Sequence, residues 1–274
     1  MRKVRFRKPM LAKDFESNTG KVALPCFLQP KLDGIRCVTD GQRFWSRNGK
    51  LFPAVNLRHL QTKVAWPYLI DGELKAEGIH DFEDTVSGVK NASTPNKKLA
   101  KSLRLHVFDV MTDEPFEDRT ITTRNAVEEA HRQGAHWKFV ATVEIRSVSQ
   151  LERWHKMNLD RGHEGSIVRN AKAKYEHKRT HHLLKWKPLQ SDEFEIIGIV
   201  EAKGKDRGTP IFVCAVPGSD EMFRVRPMGT MKQRRKMWHR RGVLIGKDIT
   251  VEYQNLTKRG KPRFPRAKVL RDYE

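Results

Sequence analysis

The sequence predicts two domains: an α+β domain with antiparallel sheets over residues 1–188, then a small all-β barrel over residues 189–274. Three observations predict this. Turn dipeptides of the hairpin type punctuate strand-like runs in the first part of the chain. Two helical patterns follow in the middle, and beyond Pro188 the pattern turns to short strands interrupted by one basic helix. The length of 274 residues suits two such cores, and 38% hydrophobic content with thirteen Phe and six Trp belongs to a folded chain.

From Cys26 the chain reads CFLQPKLDGIRCVTDGQRFWSRNG, with Asp40-Gly41 and Asn48-Gly49 as turn dipeptides. Lys31 therefore ends one strand, just before a tight Asp33-Gly34 step into the next. Residues 68–76 (YLIDGELKA) and 104–111 (RLHVFDVM) read as central strands. The stretch between them, 90–104, is polar, basic and irregular in pattern, and reads as a surface loop. Helices are expected over 119–134, which has a Gly stop, and over 147–162, which opens with the capping pattern Ser147-x-x-Gln150. Trp154 in the second reads most simply as core. Strands are expected over 165–170 and 182–187. After Pro188-Leu189-Gln190 come strand patterns at 193–202, 211–216, 222–227, 249–254 and 267–270, with a helix at 230–241. Five short strands and one helix in about 85 residues fit a barrel of the oligonucleotide-binding (OB) type.

The chain carries 54 Lys and Arg against 33 Asp and Glu, a formal net charge of +21. That exceeds what solubility asks for and points to a polyanionic partner, nucleic acid first. No apolar run of about 18 residues exists, so no membrane span or membrane partner is expected. The basic N-terminus has no apolar segment behind it, so no secretory signal is expected. Cys26, Cys37 and Cys214 lie far apart without CxxC spacing. That argues against a disulfide framework or a Cys-rich zinc site and for a reducing cytoplasm.

The sharpest motif is Lys31-Leu-Asp33-Gly34-Ile-Arg36. It is followed in order by Asp71-Gly72-Glu73-Leu74, Val107-Phe108-Asp109, Glu164-Gly165-Ser166-Ile167-Val168-Arg169 and Leu184-Lys185-Trp186-Lys187. A nucleophilic lysine must shed its proton near neutral pH, which neighbouring positive charge or a metal promotes. Lys185 and Lys187, two apart on an expected strand, leave the same face and can supply that field and grip a reacting phosphate. Glu73 and Glu164 are of the type that holds Mg2+ or a ribose hydroxyl beside phosphates. Phe108 offers a flat face for a purine. Taken singly, Phe108 reads more readily as core, Glu164 as a surface carboxylate and the lysines as solvated charge; their order joins them.

This ordered series resembles the covalent nucleotidyltransferase superfamily and, within it, the minimal ATP-dependent DNA ligases of bacteriophages and bacteria. The resemblance spans essentially the whole chain. It implies an adenylation (nucleotidyltransferase) domain followed by an OB barrel, ATP as adenylate donor, Mg2+ or Mn2+ as metal, and nicked duplex DNA as partner of a monomer. It also implies that Lys31 attacks the α-phosphate, with Asp33, Lys185 and Lys187 completing the catalytic set and both later lysines gripping that phosphate. Arg36 and Glu73 would contact the ribose, Phe108 would stack on adenine, and Gln29 would lie at the adenine edge, a contact often made by main chain. Glu164, with Glu73, would hold the metal. Arg47 would receive the 5′-phosphate of the nick, and Arg169 would meet nucleotide or nick phosphate.

The ending, residues 260–272, is similar to the tail of small ligases, so Arg266, Lys268 and Arg271 are candidates for orienting pyrophosphate. It departs from the RxDK form of larger ligases. Between Gly229 and Lys247 stand Lys232, Arg234, Arg235, Lys236, Arg240, Arg241 and Lys247 with no acid, a run that suits DNA phosphates. NAD+ as donor is not expected, because ligases of that class are much longer and carry a Cys-ligated zinc module. An mRNA capping guanylyltransferase shares the lysine motif, but its fourth motif usually reads as a DG pair where this chain has Glu164-Gly165. An RNA ligase shares the five motifs, but most lack an OB domain with this ending. A non-enzymatic basic DNA-binding protein on the same scaffold would have lost at least one of Lys31, Glu164, Lys185 and Lys187. Three other patterns lead nowhere. Residues 242–248 are one short of a phosphate-binding Walker loop and end in Asp; His163-Glu164 lacks a second zinc-protease His; His181-His182 has no partner at metal spacing.

Overall fold

The two turn dipeptides form the hairpin corners their residues demand. Gly41 and Gly49 adopt φ of 92° and 84°, where a Cβ would be strained. The computed structural model describes residues 4–78, 82–90, 96–253, 255–257 and 259–270, and side chains to residue 268. The chain divides into two units, Met1–Trp186 and Lys187–Glu274.

In the first unit the elements run β1 (Leu11–Asp14), β2 (Cys26–Lys31), β3 (Ile35–Thr39), β4 (Phe44–Ser46), α1 (Ala54–Leu57), β5 (Ile70–Ala76), α2 (Phe82–Lys90), α3 (Lys97–Ser102) and β6 (Leu103–Val110). They continue as α4 (Phe116–Arg132), β7 (Trp137–Phe139), β8 (Val143–Ile145), α5 (Val148–Asp160), β9 (Gly165–Asn170) and β10 (Arg179–Trp186). Two five-stranded sheets result, ordered β1-β10-β9-β2-β8 and β4-β3-β5-β6-β7. Pairing is antiparallel except at two edges, where β1 runs parallel to β10 and β7 parallel to β6. Val38, Trp45, Leu183 and Ile167 pack in one cluster between the sheets. The outer face of the β5-containing sheet is covered by α1, α2 and α4 through Leu57, Val89, Ala126 and Val127. The outer face of the other is covered by α5 through Leu151.

Three expectations are corrected here. The 90–104 stretch is not all loop: α3 forms because Asn96 caps it, its side chain accepting from Leu99 N at 3.1 Å, and Ala100 is buried; residues 91–95 lie outside the described residues. Helix α4 begins at Phe116 behind Pro115, with Glu117 and Asp118 favouring its first turn. In α5, Ser147 caps as expected, accepting from Gln150 N, while Gln150 Oε1 accepts from Arg146 N. The buried ring of α5 is His155; Trp154 lies half-buried at the rim of that cluster.

The second unit holds β11 (Gln190–Glu201), β12 (Pro210–Ala215), β13 (Met222–Pro227), α6 (Met231–His239), β14 (Asp248–Tyr253) and β15 (Arg266–Leu270). The strands close as a barrel, β11-β12-β13-β15-β14. Alternate residues, among them Phe194, Ile196, Phe212, Cys214, Phe223, Val225, Ile249 and Val251, fill it. Helix α6 starts with a full capping box between Thr230 and Gln233. Among the described residues no helix is long and apolar enough to cross a membrane.

Candidate active site

Strand β2 delivers Lys31 to the seam between the two sheets of the first unit. Lys31 is the register partner of Gly165, and its carbonyl accepts from Glu164 N at 3.2 Å. The same approach brings the Lys31 ammonium into an ion pair with the Glu164 carboxylate. Gly165 has φ of 149°, a backbone shape L side chains rarely adopt, which accounts for glycine directly after Glu164. Leu32, Asp33 and Gly34 then carry the chain from one sheet to the other. A Cβ on Gly34 would lie 2.4 Å from Leu74 O and 2.8 Å from Glu73 Cγ. Glycine is required there for the Lys31 link to lie against β5 behind Glu73.

The seam opens into a cavity of about 280 Å³. Lys31, Arg36, Arg47, Glu73, Phe108 and Lys185 line it, so two sheets and the turn after β4 contribute cations, a carboxylate and an aromatic face to one space. Arg36 is fixed by Asp71: Nε donates to Oδ1 and Nη2 to Oδ2, both at 2.6 Å, and Nη2 also donates to Met10 O at 3.1 Å. Burial works against the Arg36 charge, but Asp71 outweighs it and holds the pKa above the usual range. The Tyr175 hydroxyl also donates to Asp71 and accepts from Met10 N at 2.9 Å. Arg36 stands 4.6 Å from the Phe108 ring centroid. Burial raises the Glu73 carboxyl to about 7, against the pull of Arg36 and Lys31 and with the push of Asp71 and Glu164.

Beneath Phe108 lies a second buried network. Arg169 Nη1 donates to Asp109 Oδ2 at 2.6 Å, and Arg169 Nε to Gln29 Oε1 at 2.7 Å. Arg119 Nε donates to Asp109 Oδ1 at 2.8 Å. Gln29 Nε2 donates to Phe108 O at 3.1 Å and Thr142 Oγ1 at 2.9 Å.

Of the residues singled out from sequence, the fold gathers Gln29, Lys31, Arg36, Arg47, Glu73, Phe108, Arg169 and Lys185 around this cavity, with Glu164 paired to Lys31 and Asp33 in the adjoining link. Four placements differ from expectation. The Gln29 amide is engaged at both ends inside the protein, so its side chain is not turned to a base edge. Arg169 is 4% exposed and held by Asp109 and Gln29; it lines the cavity, which is compatible with the nucleotide alternative expected for it and differs from the nick-phosphate one. Lys187 follows the end of β10 at Trp186 and starts the second unit, where its ammonium lies 6.0 Å from the Phe264 ring; it does not share a strand face with Lys185. Arg234 is buried in α6 and faces Asp206 at 3.6 Å, whereas Lys232, Arg235, Arg240 and Arg241 are exposed. On β15, Arg266 is exposed and Lys268 pairs with Glu252; Arg271 lies outside the described residues.

The residues missed from sequence are Asp71, Asp109, Arg119 and Tyr175, together with Arg179, which lines the cavity. Asp71 and Asp109 sit inside the motifs quoted, and each is a charge in an apolar strand run, the available signal that a buried cation awaits it. Among the described residues no cluster of three or more His, Cys, Asp or Glu could hold a metal alone. Glu73 and Glu164 are two carboxylates in the field of Lys31, a set that fits a hard cation such as Mg2+ retaining water and substrate phosphate oxygens. Chemically, the cavity can hold a flat base against Phe108, a phosphate among Lys31, Arg47 and Lys185, and a cation at the two glutamates.

Residues 9–187 match the family described as ATP dependent DNA ligase domain, and residues 210–271 the DNA ligase OB-like domain. The African swine fever virus (strain Badajoz 1971 Vero-adapted) DNA ligase is 28% identical over 94% of this chain, which spans 65% of that protein's length. The Haemophilus influenzae DNA ligase is 26% identical over 86% of this chain and 83% of its own. A solved Lig E DNA ligase superposes with a TM-score of 0.80 at 25% identity, covering 97% of this chain and 100% of that one. A Chlorella virus DNA ligase-adenylate superposes with a TM-score of 0.56 at 26% identity over 97% and 100%.

Proposed function

This chain belongs to the ATP-dependent DNA ligase family, and we propose that it seals 5′-phosphate, 3′-hydroxyl nicks in duplex DNA through a lysyl-AMP intermediate on Lys31. The observation that carries this is the pairing of Lys31 with Glu164 at the mouth of a cavity that also presents Arg36, Glu73, Phe108 and Lys185. In the first step Lys31 Nζ, after losing a proton, attacks the α-phosphorus of ATP; an N–P bond forms and pyrophosphate leaves. Lys185 steadies the non-bridging oxygens, Arg36 and Glu73 hold the ribose, and Phe108 stacks on the base. Asp71 keeps the Arg36 fork in place. A divalent cation at Glu73 and Glu164 would supply neutralisation of the phosphate charge. The AMP then passes from Lys31 to the nick 5′-phosphate, received by Arg47, and the 3′-hydroxyl displaces AMP as the phosphodiester forms. The +21 charge and the exposed α6 cations support duplex DNA as partner. The three cysteines are buried free thiols, which supports a reducing, cytoplasmic setting.

The test is covalent labelling. Wild type and Lys31→Ala are mixed with Mg2+ and α-labelled ATP, α-labelled GTP or adenylate-labelled NAD+, run under denaturing conditions, and chased with nicked duplex. Label from ATP only, absent in Lys31→Ala and lost as nicks close, is expected. Label from GTP would move the protein to the capping chemistry, and no label from any donor would leave a DNA-binding protein.

A further inference from the structure

We propose that a second cavity, on the far side of the Lys31 link, is a phosphate-binding subsite gripped by Lys75 with His106 and His163 at its walls. This rests on the ligase reading above and adds a residue outside the matched motifs. The cavity measures about 410 Å³, and Pro30 and Leu32 wall both it and the adenylation cavity, so the two meet across Lys31. Strand alternation explains the continuity. Glu73 and Lys75 leave the same face of β5; on β6, His106 is the register partner of Glu73 and shares a face with Phe108.

The chemistry at the walls is that of an anion site. Among the described residues the Lys75 ammonium has neither an ion pair nor a hydrogen bond. His106 Nε2 is buried without a hydrogen-bond partner. The His163 ring lines the same wall. Glu77, the one carboxylate on the wall among the described residues, is already paired with Lys138 and with Arg104 at 3.3 Å. One ammonium and two imidazoles beside an apolar wall suit a single phosphate group. Two sources carry that group here: a backbone phosphate of the DNA beside the nick, or the pyrophosphate portion of ATP.

The probes are nicked duplex DNA and inorganic pyrophosphate, each titrated against wild type, Lys75→Met, Lys75→Gln and Lys75→Arg without ATP. A DNA source predicts about tenfold weaker duplex binding in Lys75→Met and Lys75→Gln, a slope of log affinity on log salt smaller by about 0.9, and recovery in Lys75→Arg. A pyrophosphate source predicts the same loss and recovery for pyrophosphate alone. Binding of both probes within twofold of wild type in every variant would overturn the subsite. Failure of the ligase reading is separable, since it appears as absence of label on Lys31 from ATP, whatever Lys75 does to binding.

Discussion

In each of the two units a carboxylate lies between two cations. In the first, Asp109 lies between Arg119 and Arg169 at 2.8 and 2.6 Å, and all three side chains are at most 4% exposed. In the barrel, Glu221 lies between Arg259 and Lys261 at 3.1 and 2.5 Å, with the arginine 76% exposed. The geometry is alike and the surroundings are opposite. Buried, such a triad has no water to replace a missing partner, so it fixes the strands it joins; exposed, it is screened and replaceable. The same contrast runs through both units. The arginines beneath the cavity are committed to Asp71 and Asp109, while Lys232, Arg235, Arg240 and Arg241 stand in solvent with no acid between Gly229 and Lys247. The first unit uses its charges to hold shape, and the barrel helix keeps its charges available to a polyanion.

The largest effect expected from this contrast is on stability. Asp109→Asn leaves two buried guanidiniums without a carboxylate and should cost about 3–5 kcal/mol. Glu221→Gln should leave the unfolding midpoint where it was. Urea titration of both variants checks this, and an equal loss in the two would mean burial is not what separates the triads. Because Arg169 also holds Gln29, and Gln29 holds Phe108 O, Asp109→Asn should further loosen the cavity wall that carries Phe108.

The contrast sharpens with acid. His155 stacks on Trp186, ring centroids 3.8 Å apart, and its Nδ1 lies 2.9 Å from Ser166 Oγ, one residue beyond Gly165. Burial lowers its pKa from 6.5 to about 4. Between those values the unfolded chain binds a proton that the folded chain refuses, so this stability is whole above pH 6.5 and lost as pH falls towards 4. His106, lowered to about 4, acts in the same sense. His155→Phe keeps a stacked ring and cannot titrate. Wild type should lose roughly 2–3 kcal/mol relative to that variant between pH 7 and pH 4. Denaturant midpoints across that range would measure it, and parallel curves would refute it. His239, the barrel's single histidine, is exposed, so hydrogen exchange at pH 5 should show softening in the first unit first.

Much of this was legible because it is local. Alternation marked β5, β6 and β9, the turn glycines marked the hairpins, and Thr230 and Ser147 announced their helices. Gly34 and Gly165 were legible as motif letters, but their reasons, Leu74 O at 2.4 Å and a φ of 149°, are tertiary. What stayed hidden depends on distant partners. Asp71 meets Tyr175 across 104 residues, and Arg169 meets Gln29 across 140. The end of β10 at Trp186, one residue before Lys187, stayed hidden because a strand pattern says nothing about where the chain leaves its sheet. Arg234 was misread because a row of cations on a helix does not say which one turns inward, and here Asp206 takes that one.

That last misreading gives the finest test. Arg235 and Arg240 are exposed on and just after α6, so changing both to Ala removes two cations that a DNA backbone can reach. Nicked-duplex affinity should fall several-fold at low salt, and the slope of log affinity on log salt should shrink by about 1.8, near 0.9 for each phosphate contact. Lysine adenylation should be unchanged, because no group around Lys31 is touched. Arg234→Met keeps the packing volume and removes a guanidinium whose Nε and Nη1 have no hydrogen-bond partner. Its effect on DNA affinity should be the smallest of all, within twofold of wild type. Fluorescence titration with a labelled nicked duplex at two salt concentrations separates the cases. If Arg234→Met weakened binding as much as the double variant, α6 would have to turn its present inner face to DNA, and the division between shape-holding and partner-facing charge would fail in the barrel.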